Sequence, residues 1–241
     1  MALNKTVTTD YLVTFLKAFL AGIVIGVAGW CYLSIGDKYV ASAVFSLALL
    51  IICALELALF TSKSGYIVDK NKWYFVDVIT ILLGNLIGVI VMGSIVFALR
   101  GQLPDLVTKL NDAMNHKFES KEWYVVLVSS LFCGMLMHIA GWVFKHVKNK
   151  ILGVFVIVFA VMTFLLAGFE HSIANGFFYT AYGWSFKGVG YLGLAVVGNM
   201  IGASIFEVIL NITVNRKFVR ESAPANTNTE SKGDTEHDQE N

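Results

Sequence analysis

Charge is what this sequence has least of. Only 15% of its 241 residues are charged, against 56% apolar, where a soluble domain carries about 25% charged residues. That much apolar surface cannot all be buried in one soluble core of this length, so a bilayer is the natural solvent. The net charge is +1, too small for a basic field, and no stretch interleaves aromatics with cations; nucleic acid is thereby excluded as a partner. Cys31, Cys53 and Cys133 are odd in number, sit inside apolar runs and lack a CxxC spacing, which argues against a disulfide framework and a zinc site. They read as small packing residues. Also missing are a nucleophile–base pair, a metal cluster and a phosphate loop, so no enzymatic chemistry is expected and no cofactor or metal is assigned. The first ten residues are polar and no processing site follows the first apolar run, which predicts that this run is retained.

What remains is a series of apolar runs, each long enough for the roughly 20 helical residues that cross hydrocarbon. The first covers residues 11–35, with Lys17 near enough to its start to snorkel and Gly22 and Gly26 on one face. The second, residues 41–60, is interrupted near its end by Glu56 and runs into the polar, helix-breaking Thr61-Ser-Lys-Ser-Gly65. It reads as a discontinuous span, with an ordinary loop as the plain alternative. The third, residues 73–99, opens on Trp73 and Tyr74 as interfacial anchors and holds Gly84-Asn85, Gly88 and Gly93. Residues 100–122 form an amphipathic connection containing Pro104. The fourth run, residues 123–144, carries His138 and is followed by Lys145, Lys148 and Lys150. The fifth, residues 151–184, is too long for one crossing; a break over residues 168–176, with a short second half from Phe177, fits better. The sixth, residues 188–214, holds Gly198-Asn199, Gly202 and Glu207.

From Glu221 onward the chain is polar and acidic with no apolar face, which predicts disorder. The expected layout is a cytoplasmic N-terminus (residues 1–10), a transmembrane channel domain (11–218) and a disordered cytoplasmic tail (219–241). An inside N-terminus puts eleven Lys and Arg residues on or near the cytoplasmic side, among them Lys17, Lys63, Lys145, Lys150 and Arg216. It leaves six outside, Lys117 and Lys121 included. That asymmetry predicts both termini in the cytoplasm.

The third and sixth runs share a pattern, Gly84-Asn85-x-Ile87-Gly88 and Gly198-Asn199-x-Ile201-Gly202, offset by 114 residues (85 to 199). Each half, about 11–100 and 120–218, then has three crossings, and an odd number makes the halves opposite in orientation. The second member of each is the broken one. Paired interruptions in inverted repeats point to a transport path near the bilayer midplane, with half-helix N-termini favouring anions.

One stretch concentrates polar chemistry in hydrocarbon: Gly168-Phe-Glu170-His171-Ser172-Ile-Ala-Asn175-Gly176. A charged acid at mid-bilayer costs about 2.5 kcal/mol or more, so such residues face a bundle interior or a pore. The alternative is a mutually satisfied structural pair. His138 reads first as an interhelical contact, Glu56 and Glu207 as caps or interhelical partners, and Asp77 as solvated near an interface.

Gly168-Phe-Glu170-His171-Ser172-Ile-Ala-Asn175 resembles the signature of the formate/nitrite transporter family. Phe60-Thr61-Ser62 resembles that family's loop in the second span, and the two Gly-Asn segments resemble its third and sixth spans. The resemblance covers residues 10–218. It implies an all-α membrane protein with six transmembrane helices in two inverted three-helix repeats, an aquaporin-like protomer with the second and fifth spans broken. Five protomers would form a ring in the bacterial cytoplasmic (inner) membrane, each with its own pore. By similarity, His171 is the central pore histidine, Asn175 its neighbour, Thr61 the loop residue approaching it, and Glu170 an orienting group. Lys121 or Lys117 is the vestibular lysine. Phe45, Leu49, Leu59, Phe60 and Phe164 match the apolar constrictions. Phe45 and Leu49 share a helix face; Phe164, His171 and Asn175 would share one if the helix persists that far.

The chain departs from the family where Ala58-Leu59-Phe60-Thr61 lacks the usual leading acid, where the fourth span has His138 near the place of an asparagine, and where Gly141 stands in place of a bulkier aliphatic at the outer constriction. It looks most like the hydrosulfide-channel branch. The expected function is a passive channel for small monovalent anions, hydrosulfide first, with formate and nitrite also admitted. The alternatives are proton-coupled formate or nitrite transport and a neutral-solute pore. Against the latter, the paired Asn-Pro-Ala motifs of aquaporins are absent.

Overall fold

The computed structural model describes residues 5–215. The expected tail, residues 219–241, and the basic Arg216, Lys217 and Arg220 lie outside the described residues, as do the first four residues. Every described element is helical. The helices are α1 (Lys5–Ser34), α2 (Lys38–Ala54), α3 (Phe60–Lys63), α4 (Tyr74–Leu99), α5 (Pro104–Ser120), α6 (Trp123–His146), α7 (Lys150–Leu166), α8 (Ser172–Tyr182) and α9 (Phe186–Leu210). A 3-10 turn, Ser64–Val68, continues α3. The chain divides into two units; the compact one runs to Ile209. The second, from Leu210, contributes the π-turn Asn211–Asn215 to the described residues.

Among the described residues, four helices are long and apolar enough to cross a membrane, and α2 and α7 are shorter apolar helices of 17 residues each. Both short helices begin on an Asx cap. Asp37 accepts from Tyr39 N and Val40 N at 2.9 Å, and Asn149 from Ile151 N at 3.0 Å. Such caps satisfy amides that the helix itself leaves orphaned. Leu12, Leu16, Leu20, Phe155 and Phe159 stay exposed, as suits side chains in contact with lipid. Lipid offers no hydrophobic drive between helices, so close packing of small residues must supply the contact. A Cβ added at Gly84 or Gly88 would strike the α1 backbone at Phe15 and Phe19, and one at Gly22 would strike Asn85 and Gly88. Gly134, Gly198 and Gly202 make the matching contacts between α6 and α9, against Asn199, Leu127 and Leu131.

Both expected breaks exist, and both are displaced from where polarity suggested. The second span stops at Ala54, not at Thr61. Leu55 N bonds Ile51 O and Leu57 N bonds Ile52 O, each at 2.9 Å, around Glu56 at φ 52°. The polar Thr61-Ser-Lys stretch is the helical turn α3. The fifth span stops at Leu166, where Ala167 N bonds Thr163 O and Phe169 N bonds Phe164 O at 2.9 Å around Gly168 at φ 68°. Its second half starts at Ser172, not Phe177, and includes Asn175 and Gly176. Both ends use a left-handed residue to turn the chain while the last carbonyls find donors.

Candidate functional site

The two breaks meet. Thr61 Oγ1 and His171 Nε2 are 3.1 Å apart, and the two residues are 0% and 2% exposed. His171 caps α8, and its Nδ1 accepts from Ala174 N at 3.2 Å. With Nδ1 accepting, the neutral ring carries its proton on Nε2 and donates to Thr61. The Phe164 ring lies 5.4 Å from the His171 ring, and Phe45 meets Phe164 edge-on at 6.0 Å. Leu49, Leu59 and Phe60 are buried in the same extended core. Of the expected constriction residues, Phe164 packs against His171 and Phe45 packs against Phe164.

Phe164 and His171 meet across the break rather than along one helix, since α7 ends at Leu166. Glu170 and His171, adjacent in sequence, point apart because the backbone at His171 is extended (φ −94°, ψ 113°). Glu170 turns to the lysines. Lys121 Nζ lies 2.6 Å from its Oε1 and Lys117 Nζ 2.7 Å from its Oε2. Lys117 also donates to Asn175 Oδ1 at 2.7 Å, Asn175 Nδ2 to Glu170 Oε2 at 2.8 Å, and Lys121 to Gly168 O at 2.7 Å. Lys117 and Lys121 both hold Glu170. Asn175 belongs to this network rather than to the Thr61 contact.

A cavity of about 280 Å³ opens on this side, lined by Lys117, Lys121, Glu170, His171, Phe164 and Asn175. A second, of about 380 Å³, is lined by Leu59 and Ser62 with Lys17, Lys63, Lys145 and Lys150. Phe45, Leu49, Phe60 and Thr61 line neither. Gly141 lines the second cavity, beside Lys145 and away from Lys117 and Lys121.

Sequence reasoning took Asn85 and Asn199 only as parts of packing motifs. Asn85 Oδ1 accepts from Phe60 N at 2.7 Å, and its Nδ2 donates to Ala18 O at 2.7 Å and Ala58 O at 2.8 Å. Asn199 Oδ1 accepts from Ser172 N at 2.8 Å, and its Nδ2 donates to Ser130 O at 2.7 Å and Glu170 O at 2.9 Å. The signal was available: an amide repeated at one place in two apolar spans needs partners. His138 is an interhelical contact as expected, its Nε2 2.7 Å from Glu207 Oε2 and its Nδ1 3.0 Å from Ser62 O.

A multi-pass helical chain with paired broken spans meeting at a buried histidine is a membrane transport protein of a specific architecture, and comparison with known proteins agrees. The family model described as "Formate/nitrite transporter" matches residues 2–213. The chain belongs to the formate/nitrite transporter family, a family of transporters and channels rather than enzymes. A relative from Bacillus subtilis (strain 168), described as an uncharacterized transporter YrhG, is 32% identical over 90 residues, which span 34% of this chain and 32% of that one. Among solved structures, a pentameric formate channel with formate bound superposes with TM-score 0.75 at 24% identity, covering 86% of this chain and 98% of that one. An FNT family ion channel gives TM-score 0.69 at 16% identity, covering 88% and 92%. At these identities the likeness is one of fold.

Proposed function

We propose that the protein is a passive channel for small monovalent anions and that hydrosulfide is its anion, with formate and nitrite as lesser passengers. The observation that carries this reading is the Thr61–His171 contact, 3.1 Å long, with the Phe164 ring packed on His171 and a lysine-lined cavity on either side. Lysines at each mouth raise the local concentration of anions. The ring of Phe45, Leu49, Leu59, Phe60 and Phe164 then strips water from the anion. Thr61 and His171 offer single donors in its place. A carboxylate is held best by two parallel donors; single donors suit a smaller, rounder and more weakly hydrated anion. Glu170 holds the lysines and Asn175 in place and stays out of the path.

The same reading takes the architecture as six crossings in two inverted three-helix repeats, five protomers to a ring. Both termini are placed in the cytoplasm of a bacterium, and the channel domain in the inner membrane over residues 11–218. The segregation of Lys17, Lys63, Lys145 and Lys150 from Lys117 and Lys121 into separate cavities supports that orientation. The pentameric neighbour supports the ring. A second reading, proton-coupled passage of formate or nitrite, draws support from the family's description and from the neighbour with formate bound.

The test is anion flux into liposomes holding the purified protein, with hydrosulfide, formate, nitrite and chloride compared at two pH values beside His171→Phe. Hydrosulfide passing fastest, with rate or selectivity changed in the variant, supports the channel. Formate or nitrite passing fastest, with a co-transported proton, moves the chain to the second reading. Flux of neutral solutes alone, indifferent to voltage and to His171, makes it a neutral pore.

A further inference from the structure

His138 and Glu207 form a buried polar pair that lines neither cavity. His138 Nδ1 is 3.0 Å from the Ser62 carbonyl. A carbonyl only accepts, so Nδ1 carries the proton. Its Nε2 meets Glu207 Oε2 at 2.7 Å. The Tyr66 ring packs edge-on against His138 at 4.9 Å, the Asp69 carboxyl faces Glu207, and Lys63 and Lys70 supply the positive charge around the pair. Ser62 follows Thr61, whose hydroxyl meets His171. The imidazole is thus tied to the backbone of α3 one residue from the centre of the path.

That tie matters because α3 is weak by itself. It spans four residues before its 3-10 continuation, whereas α8 spans 11, and a single turn gains little from its own hydrogen bonds. The two half-helices are also anchored differently. The spacing that carries Ala18, Ala58 and Phe60 onto Ser130, Glu170 and Ser172 carries Gly26 onto His138 and Gly65 onto Phe177. The spacing that carries Asn85 onto Asn199 carries Gly93 onto Glu207. At one half-helix, α8, the Phe177 ring lodges against Gly26 and Gly29, and Gly93 meets the Phe177 carbonyl and Thr180. At the other, the large groups come from the long helices, and the half-helix supplies the glycine: a Cβ at Gly65 would strike the His138 ring. A phenyl ring held by shape anchors α8. Directional bonds anchor α3 instead: Phe60 N donates to Asn85 Oδ1, Ser62 Oγ to Met137 O, Tyr74 Oη to Lys63 O, and His138 Nδ1 to Ser62 O, the last being the bond from α6 to the backbone beside Thr61.

We propose that His138 and Glu207 are positioning residues that fix α3 through Ser62 and so set the Thr61–His171 separation and the selectivity of the path. Glu207 holds the imidazole at Nε2, and the imidazole holds Ser62 at Nδ1. The selectivity part rests on the anion-channel reading above; the positioning part does not.

Three substitutions separate the terms. His138→Asn places an amide N–H where Nδ1–H was and keeps the bond to Ser62. His138→Gln keeps a partner for Glu207 and loses Ser62. His138→Phe keeps the shape and loses both. Each is assayed for thermal midpoint in detergent and for the hydrosulfide-to-formate flux ratio in liposomes. Each is also assayed for the rate at which a small charged thiol reagent labels Lys63→Cys in a Cys53→Ala background. Losing one hydrogen bond of ordinary strength predicts a change of about fivefold in flux ratio and labelling rate for His138→Gln and His138→Phe. His138→Asn should stay near the parent in both. Parent-like ratio and labelling in all three variants overturn the proposal, as does a fall in thermal midpoint alone. Should His138→Phe not fold, His138→Gln decides. If the parent passes no anion, the channel reading fails and the labelling rates alone judge the positioning of α3.

Discussion

Asn85 and Asn199 make the same three bonds in two places. Each side-chain oxygen accepts from the first amide of a half-helix, at Phe60 or Ser172. Each side-chain nitrogen donates to the carbonyl two residues before that amide, at Ala58 or Glu170, and to a carbonyl of a long helix, at Ala18 or Ser130. A broken helix inside a bilayer leaves polar backbone that no water reaches. One primary amide, with two donors and an accepting oxygen, satisfies three such groups at once.

Replacing either asparagine with alanine strands two buried backbone groups at the break, the Phe60 amide and Ala58 carbonyl or the Ser172 amide and Glu170 carbonyl. At roughly 1 kcal/mol or more for each unsatisfied group, the loss should be about 2 kcal/mol. Asparagine to aspartate should cost as much, because the new oxygen faces two carbonyls. Thermal unfolding in detergent checks both; midpoints equal to the parent's would show that the amides are not what holds the breaks.

The two left-handed residues predict opposite signs. Gly168→Ala puts a Cβ at φ 68° and should destabilise by about 1–2 kcal/mol. Glu56→Gly relieves a Cβ at φ 52°, and after the entropy that glycine costs should gain up to about 1 kcal/mol. The same unfolding assay reads both; a shift in one direction for both variants would contradict the shared geometry of the breaks.

Glu170 is held by two ammonium groups at 2.6 and 2.7 Å. Lys117→Met or Lys121→Met alone leaves one partner and should be tolerated. Together they leave a buried carboxylate unpaired, at a cost of about 3–5 kcal/mol. Adding Glu170→Gln to the double variant should restore folding while anion uptake stays low, since the mouth has lost its positive charge. Yield and thermal midpoint read the first effect, liposome flux the second.

If lysines gather the anion, salt should weaken them. Raising ionic strength shortens the screening length from about 30 Å at 0.01 M to about 8 Å at 0.15 M. Initial uptake at sub-saturating anion should fall several-fold, with the saturated rate little changed. Uptake indifferent to salt would remove the lysines from the mechanism.

Much of this arrangement was legible in the sequence, and the misses have causes. Long apolar runs fixed the long helices, and the excess length of residues 151–184 announced a break. The breaks were misplaced because polarity was read as disorder of the helix. Thr61 and Asn175 are polar because of what they face, and both lie in helical turns. The turn before α3 is made by apolar Leu55 and Leu57 around Glu56, with no glycine to mark it. The adjacency of Glu170 and His171 suggested a pair, but extended backbone sends consecutive side chains to opposite sides. Lys117 stands in the last turn of α5 and Lys121 is its C-cap, so the helix end presents both to Glu170, and spacing had no means to choose between them.

The clamping of each break by a later asparagine also bears on how the chain is made. Phe60 waits for a residue 25 positions downstream, and Ser172 for one 27 positions downstream. When either discontinuity first enters the translocation machinery, its partner is still inside the ribosome or its exit tunnel. Exposed amides and carbonyls at each break must therefore be tolerated until the helix that carries its asparagine, α4 or α9, arrives. Each break is closed when its own asparagine arrives, while the docking of α3 against His138 waits longer, for α6.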